Sequence, residues 1–236
     1  MKDQYNYPGQ ELAFFEKAVN WKTYFSSFIR PFIGDTVLEV GSGIGATTRL
    51  LNDGHAESWT LLEPDEEMNR VLQKRKESQT QFANCTIRSE TIYDLNSLEK
   101  FDTIIYIDVL EHIEDDRKEM LRAKELLQSN GHLIILSPAY NFLFSPFDKA
   151  IGHYRRYTYH TLKAAMPSQL KLVDLQYLDS IGFFASLSNK LLLKQDYPSE
   201  KQIRTWDRLM IPLSKWTDKI FFHSFGKSIL GIWRKE

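Results

Sequence analysis

Apolar positions along the chain follow two alternating rhythms. Phe14, Ala18, Trp21, Phe25 and Phe28 recur at helical spacing and predict an amphipathic helix over 11–30, ended by Pro31. Short β-branched and apolar runs follow, each separated from the next by a more polar or helix-patterned stretch. Segments 36–40, 59–62, 85–88, 101–107 and 132–136 read as strands, and 47–52, 65–76 and 115–128 as helices. The fourth strand, FDTIIYI, is almost wholly apolar, as a strand buried on both faces should be. Ser129-Asn130-Gly131 reads as a turn before the fifth. This alternation predicts an α/β fold with a doubly wound, mostly parallel sheet of Rossmann-like type.

Beyond Pro138 the rhythm changes. Segment 139–157 reads as a long aromatic loop, a length that is uncommon without a function. A short helix over 161–166 and a strand over 170–178 follow. Apolar helical stretches punctuated by lysine fill 181–224, with Trp206, Leu209, Leu213, Trp216 and Ile220 on one face and Pro212 marking a break. A closing strand is expected over 228–233. No repeat or Gly/Ser linker divides the 236 residues, so they read as one domain: a helical cap over 1–31, a core over 32–140 and a remainder over 141–236.

Composition adds limits. The net charge of −1 conceals an asymmetry, because residues 181–236 carry ten Lys/Arg against five Asp/Glu. A basic end section fits an anionic partner or a membrane surface, and equally a solvated helix face. The excess is too small and too mixed to suggest nucleic acid. The single cysteine, Cys85, allows no internal disulfide and fits a reducing compartment. The start, MKDQYNYPGQ, lacks an apolar signal core, and no apolar run reaches the roughly 18 residues of a spanning helix, so a soluble cytoplasmic protein is expected. The six histidines are scattered without paired cysteines or an H-E-x-x-H spacing, so no protein-bound metal is expected.

The stretch EVGSGIGA, residues 39–46, carries the first chemistry. A glycine loop between strand and helix lets backbone approach a ligand and presents a helix N-terminus. Gly41, Gly43 and Ala46 fit the dinucleotide pattern, and Glu63 stands where a ribose-binding acid belongs. On the motif alone, a nicotinamide dinucleotide remains open. Glu39 weighs against it, because a carboxylate about 5 Å from a pyrophosphate is repelled by about 1–3 kcal/mol. S-adenosylmethionine instead brings a sulfonium and an ammonium, with one small carboxylate for the helix N-terminus. The plainer role for Glu39 is a surface or ion-paired acid.

VLEVGSGIGATTRLL, LLEPDEEM, FDTIIYIDVLEHI and LLQSNGHLIILSPAY together resemble the successive motifs of class I S-adenosylmethionine-dependent methyltransferases, across residues 36–140. DVLEHI is most similar to the ubiquinone-biosynthesis branch. The resemblance implies that 32–140 binds S-adenosylmethionine. Glu39, Gly41, Gly43 and Gly45 would line its methionine part, Glu63 would take the ribose hydroxyls and Glu90 the adenine amino group. The family more often has Asp at the position of Glu90. Asp108, the first polar residue after the fourth strand, would face the methionine end.

The acceptor side is read from 141–236. Methyl transfer from a sulfonium needs alignment and, for a hydroxyl acceptor, one base. His112 in LEHI and His153 in DKAIGHYRRYT are the candidates; an orienting hydrogen bond and a loop-packing role are their plainer alternatives. DKAIGHYRRY, with the later GKS, resembles a bacterial branch of the same family. Arg155 and Arg156 suit a small or lipid-like acceptor bearing a carboxylate or phosphate, one binding it and the other pairing with Asp148 or Glu111. Tyr140, Tyr154 and Tyr157 would wall the pocket. Segment 181–224 is expected as a lid first, then as a dimer surface or a docking face for a lipid-linked acceptor at a membrane. The expected activity is O-methylation. An NAD(P)-dependent oxidoreductase, N- or C-methylation, and a binding protein without catalysis are the alternatives.

Overall fold

A computed structural model describes residues 15–193 and 199–236. Seven strands form one sheet: β1 (Thr36–Val40), β2 (Ser58–Leu62), β3 (Cys85–Arg88), β4 (Phe101–Ile107), β5 (Leu127–Pro138), β6 (Leu170–Leu178) and β7 (Ser228–Lys235). Their spatial order is β3-β2-β1-β4-β5-β7-β6, and β7 alone runs antiparallel to both neighbours. The order reverses between β1 and β4, so the carboxyl ends of these two strands open onto the crevice where ligands bind in open α/β sheets. Successive residues of the central strands feed opposite cores. Leu61, Ile105 and Ile134 pack on one face, while Leu62, Ile104 and Ile135 pack on the other. Burial on both faces is why these strands are continuously apolar.

The predicted strands stand within a few residues of their places. The N-terminal helix, α1 (Val19–Ile29), is shorter than expected; it buries Trp21, Phe25 and Ile29, and Phe14 lies outside the described residues. The helix after the glycine loop, α2 (Thr48–Leu51), is a single turn. The helix α3 (Glu66–Ser78) starts at an Asp65 cap whose carboxylate accepts from the amides of Glu67 and Met68. The next, α4 (Asp116–Leu126), ends two residues early, and the expected turn at Ser129-Asn130-Gly131 becomes a bulge inside β5. Pairing jumps there from Phe101↔Leu127 to Thr103↔His132, with Asn130 at φ +64°.

The segment expected as a loop holds a short helix, α5 (Pro146–Ala150), opened by a reciprocal Ser145–Asp148 cap. Helix α6 (Tyr159–Ala165) precedes β6. The insert before β7 comprises α7 (Ser180–Ser188), α8 (Glu200–Thr205) and α9 (Ile211–Ile220), with π-helical turns over 189–193 and 206–210. Part of the insert, 194–198, lies outside the described residues. Two buried aspartates, Asp207 and Asp218, weld it to α1, and a third, Asp179, ties its helices together. Asp207 accepts from the Trp21 amide at 2.9 Å. Asp218 accepts from Tyr24 Oη at 2.9 Å and from the amides of Asp179 and Ser180 at 2.8 Å. Asp179 accepts from Trp206 Nε1 and Ser214 Oγ, both at 2.7 Å. Among the described residues, no helix is long and apolar enough to cross a membrane.

Candidate active site

The glycine loop leaves β1 with Gly41, Gly43 and Gly45 at φ +65°, +56° and +75°. A Cβ on Gly45 would fall 2.7 Å from Leu72 and 2.8 Å from Phe82, so the loop needs glycine for close packing as well as for its turn. Its amides are held from below: Gly43 N donates to Glu63 Oε2 at 2.7 Å and Asp65 N to Glu63 Oε1 at 2.9 Å. Burial raises the Glu63 carboxyl to about 6, although both backbone bonds pull it down.

Glu39 is buried, and its Oε2 accepts from Thr48 Oγ1 at 2.8 Å and Trp59 Nε1 at 3.1 Å. Burial lifts it to about 7 against those two bonds. It is therefore neither an exposed nor an ion-paired acid. Glu90 meets a different neighbour: Arg88 binds it at 2.6 Å and Glu99 at 2.8 Å. The one-turn α2 removes the expected helix-dipole site for a cofactor carboxylate, since only a few amides stack there.

Beyond the ends of β4 and β5 lies a cavity of about 670 Å³, roofed by α1, α5 and the insert. That is an ordinary size for a small-molecule site. Asp108, at φ +54°, and Thr47 both line it. It is accessible from the cavity, yet enclosure by protein raises its carboxyl, opposed by the charges of His153, Lys227, Lys22 and Arg156. Five basic side chains line the cavity, Lys22, Arg156, Lys190, Lys201 and Lys227, against three acids, Asp108, Glu111 and Asp148. Burial lowers Lys22 to about 8 and also lowers Lys227, whose Nζ stands 4.4 Å over the Trp206 ring. Gly226 lets Lys227 reach this position, because a Cβ there would strike the Leu178 carbonyl oxygen at 2.2 Å.

The GHYRRY segment splits into two faces. Asp148 gathers one: its carboxylate takes His153 Nδ1 at 2.8 Å, the Arg156 Nε and Nη2 fork at 2.8 Å each, and Ser145 Oγ at 2.7 Å. Burial alone would raise Asp148, but these bonds hold it well below the usual carboxylate range. An ionised Asp148 favours Nδ1–H of His153 as donor, which turns Nε2 toward Glu111. Nε2 lies 3.9 Å from Glu111 Oε1. Glu111 is fully buried; Ser137 Oγ donates to its other oxygen at 3.0 Å, and burial with the nearby Asp108 charge pushes it well above its ordinary value. The His112 ring meets His153 edge-on at 4.4 Å, and burial lowers its pKa to about 3, so it is neutral. Among the described residues, Glu111 Oε1 and Arg156 Nη1 are buried without a hydrogen-bond partner.

The other face turns away from the cavity. Arg155 binds Asp116 at 2.6 Å and the Glu114 carbonyl. Tyr157 is buried and donates to Asp116 at 2.9 Å. Tyr154 is exposed, and Tyr140 stacks on Tyr177 at 4.9 Å. None of Tyr140, Tyr154, Arg155 and Tyr157 lines the cavity, contrary to the expectation of an aromatic wall; Phe15, Phe25, Phe147 and Trp206 provide it. The adjacent arginines diverge, Arg156 to Asp148 and Arg155 to Asp116. Lys22, Lys227 and the acceptor role of Glu111 were not legible as site residues, since helices and termini far apart in sequence bring them in. The same holds for Glu111, His112 and His153 as a cluster, whose three potential ligand atoms lie within 4.8 Å of one another.

A methyltransferase-domain family model matches residues 15–182. The chain belongs to the methyltransferase domain family. Membership makes it an S-adenosylmethionine-dependent enzyme and leaves the oxidoreductase reading without support. Among solved structures, a geranyl diphosphate methyltransferase in complex with SAM is similar with TM-score 0.67 and 12% identity, over 97% of this chain and 92% of that one. The N-methyltransferase NodS from Bradyrhizobium japonicum, bound to S-adenosyl-L-homocysteine, is similar with TM-score 0.57 and 16% identity, over 94% and 87%. The [4+2]-cyclase SpnF shares the fold at TM-score 0.62 and 12% identity, over 92% and 80%, so architecture alone does not fix the reaction. No curated protein sequence matches. In this methyltransferase the acids Glu39, Glu63 and Asp108 around the glycine loop suit a cationic donor better than a pyrophosphate.

Proposed function

We propose that this methyltransferase methylates an oxygen of a small, largely apolar acceptor that carries an anionic group, with His153 as general base. S-adenosylmethionine, when bound, supplies an electrophilic methyl group on a sulfonium. Glu39, Gly41, Gly43 and Gly45 would hold its methionine part with Asp108, Glu63 its ribose and Glu90 its adenine. Lys22, lining the cavity in the same region as Thr47 and Asp108, is a better partner for the cofactor carboxylate than the one-turn α2.

The observation that carries the acceptor reading is the pair of unpartnered atoms beside His153. Glu111 and Arg156 are cavity-lining residues, and their Oε1 and Nη1 atoms are buried without a partner, which costs about 1–3 kcal/mol each. A bound acceptor relieves both. One hydroxyl can accept from Glu111, whose raised carboxyl keeps its proton, and donate to His153 Nε2, 3.9 Å from Glu111 Oε1. His153 would then take the hydroxyl proton, leaving the oxygen aligned to accept a methyl group from the sulfonium, whose S–C bond would break to release the neutral thioether. Asp148 stabilises the imidazolium that results. Arg156 Nη1, with Lys227, receives the anionic group. His112, already neutral, packs against the base and is a positioning residue in this scheme.

An acceptor panel tests this: phenols and alcohols of matched size, with and without a carboxylate or phosphate, assayed for methyl transfer. Anionic oxygen acceptors should turn over best, and Arg156→Lys should raise their KM about ten-fold or more while leaving S-adenosylhomocysteine affinity unchanged. Turnover confined to amines or to neutral acceptors would contradict the reading. Chelators should leave turnover unchanged; loss of activity restored by a divalent cation would instead give the Glu111–His112–His153 cluster to a metal.

A further inference from the structure

The outer face of the insert is apolar where solvent meets it. Leu209, Leu213, Trp216 and Ile220 follow one another at spacings of four, three and four, and are 62%, 56%, 74% and 64% exposed. Phe222, next along the chain, is 89% exposed and sits at φ +53°, a left-handed conformation that bulky residues avoid. Helix α9 is thus inside out. It buries Ile211, Ser214 and Asp218 and presents its larger apolar residues outward. Of the sequence's apolar stripe only Trp206 faces inward.

Charge on this stretch is sorted in the same way. Both acids of residues 206–225, Asp207 and Asp218, are buried and hydrogen-bonded to α1 and the start of α7. The cations Arg208 and Lys219 are exposed, and Lys215 is half-buried beside the Tyr24 ring. Within residues 206–225 the exposed side chains are therefore apolar or positively charged, with no exposed acid. A second copy meeting this face across a two-fold axis would set these cations against themselves with no acid to pair. An anionic bilayer satisfies both features: the aliphatic and aromatic side chains enter the headgroup boundary, and the cations meet lipid phosphates. Trp216 has the amphipathic ring favoured at that depth.

We infer that the outer face of α9 and the turn after it is a docking surface for an anionic membrane. The inner side of the same insert, through Gly182, Gln202 and Met210, walls the cavity. Docking would bring that cavity to the bilayer surface and give a lipid-like acceptor a short path into it. The inference stands on the face itself and not on the acceptor chemistry, so the two can fail separately.

Flotation of the full chain tests it, with vesicles of phosphatidylcholine alone and with about one-third phosphatidylglycerol, at low and high salt. Wild type should float with the anionic vesicles at low salt, and binding should fall roughly five-fold for each cation reversed, as in Lys215→Glu and Lys219→Glu. Trp216→Glu should abolish flotation while leaving the melting temperature and S-adenosylhomocysteine affinity unchanged, because that side chain packs outward. Absence of co-flotation at low salt, or flotation indifferent to these substitutions, would overturn the inference. So would a dimer in sedimentation equilibrium that Trp216→Glu dissolves while wild type ignores vesicles.

Discussion

A carboxyl group sealed beneath a glycine loop holds its proton more tightly than one in water, and Glu39, lifted to about 7, titrates near neutrality. Its folded pKa exceeds its unfolded one, so its contribution to stability is complete below the ordinary carboxylate range and is lost as pH rises through about 7. Glu39→Gln keeps an acceptor for Thr48 or Trp59 and removes the ionisation. In urea unfolding the variant should gain on wild type as pH rises from about 5 to about 8, by up to about 3 kcal/mol. A constant difference across that range would show that Glu39 is not the titrating group. A cationic cofactor nearby should pull the same pKa down, so wild type should release protons on binding S-adenosylmethionine, seen by calorimetry in buffers of different ionisation enthalpy, and Glu39→Gln should release fewer. The arginines divide at the same scale. Arg155→Ala should leave acceptor KM unchanged, because that side chain is committed to Asp116 on the far side of the segment.

Among the elements, the strands were legible and the helices less so. An apolar run such as FDTIIYI has one stable placement, in the middle of a sheet covered on both sides. Helix ends depend on caps and neighbours, so α2 shrank to one turn and α4 gave up its last residues to the bulge in β5. The insert was the least decided by its pattern. Its stripe of Trp206, Leu209, Leu213, Trp216 and Ile220 has the spacing of a buried face, but periodicity cannot say which side of a helix meets protein. The aspartates decide it: Asp207 and Asp218 find donors on α1 and α7, and their bonds turn the apolar side out. Asp218→Ala would leave two backbone amides and the Tyr24 hydroxyl without their acceptor. It should cost about 3 kcal/mol or more, and proteolysis should open first at the insert.

At the scale of the whole molecule, the sheet order brings the glycine loop and the cavity to one edge, where the proposed donor and acceptor sites would meet. The glycine loop, Glu63 and Asp108 all leave strand ends there, which is why the cofactor half could be read from four ordered motifs. The acceptor half is assembled from α1, the GHYRRY segment, the insert and the approach to β7, elements separated by most of the chain. Sequence marked His153 and Arg156 within it but could not separate them from Arg155 and Tyr157, since the fold alone decides which residues face the cavity. The central claim is that His153, held by Asp148, takes the acceptor's proton. The most direct measurement is turnover of the best oxygen acceptor by His153→Ala with and without added imidazole. With His153 as base, the substitution lowers kcat by about 10²–10⁴, leaves S-adenosylhomocysteine affinity unchanged and is partly rescued by imidazole; turnover that survives it would rule His153 out as the base.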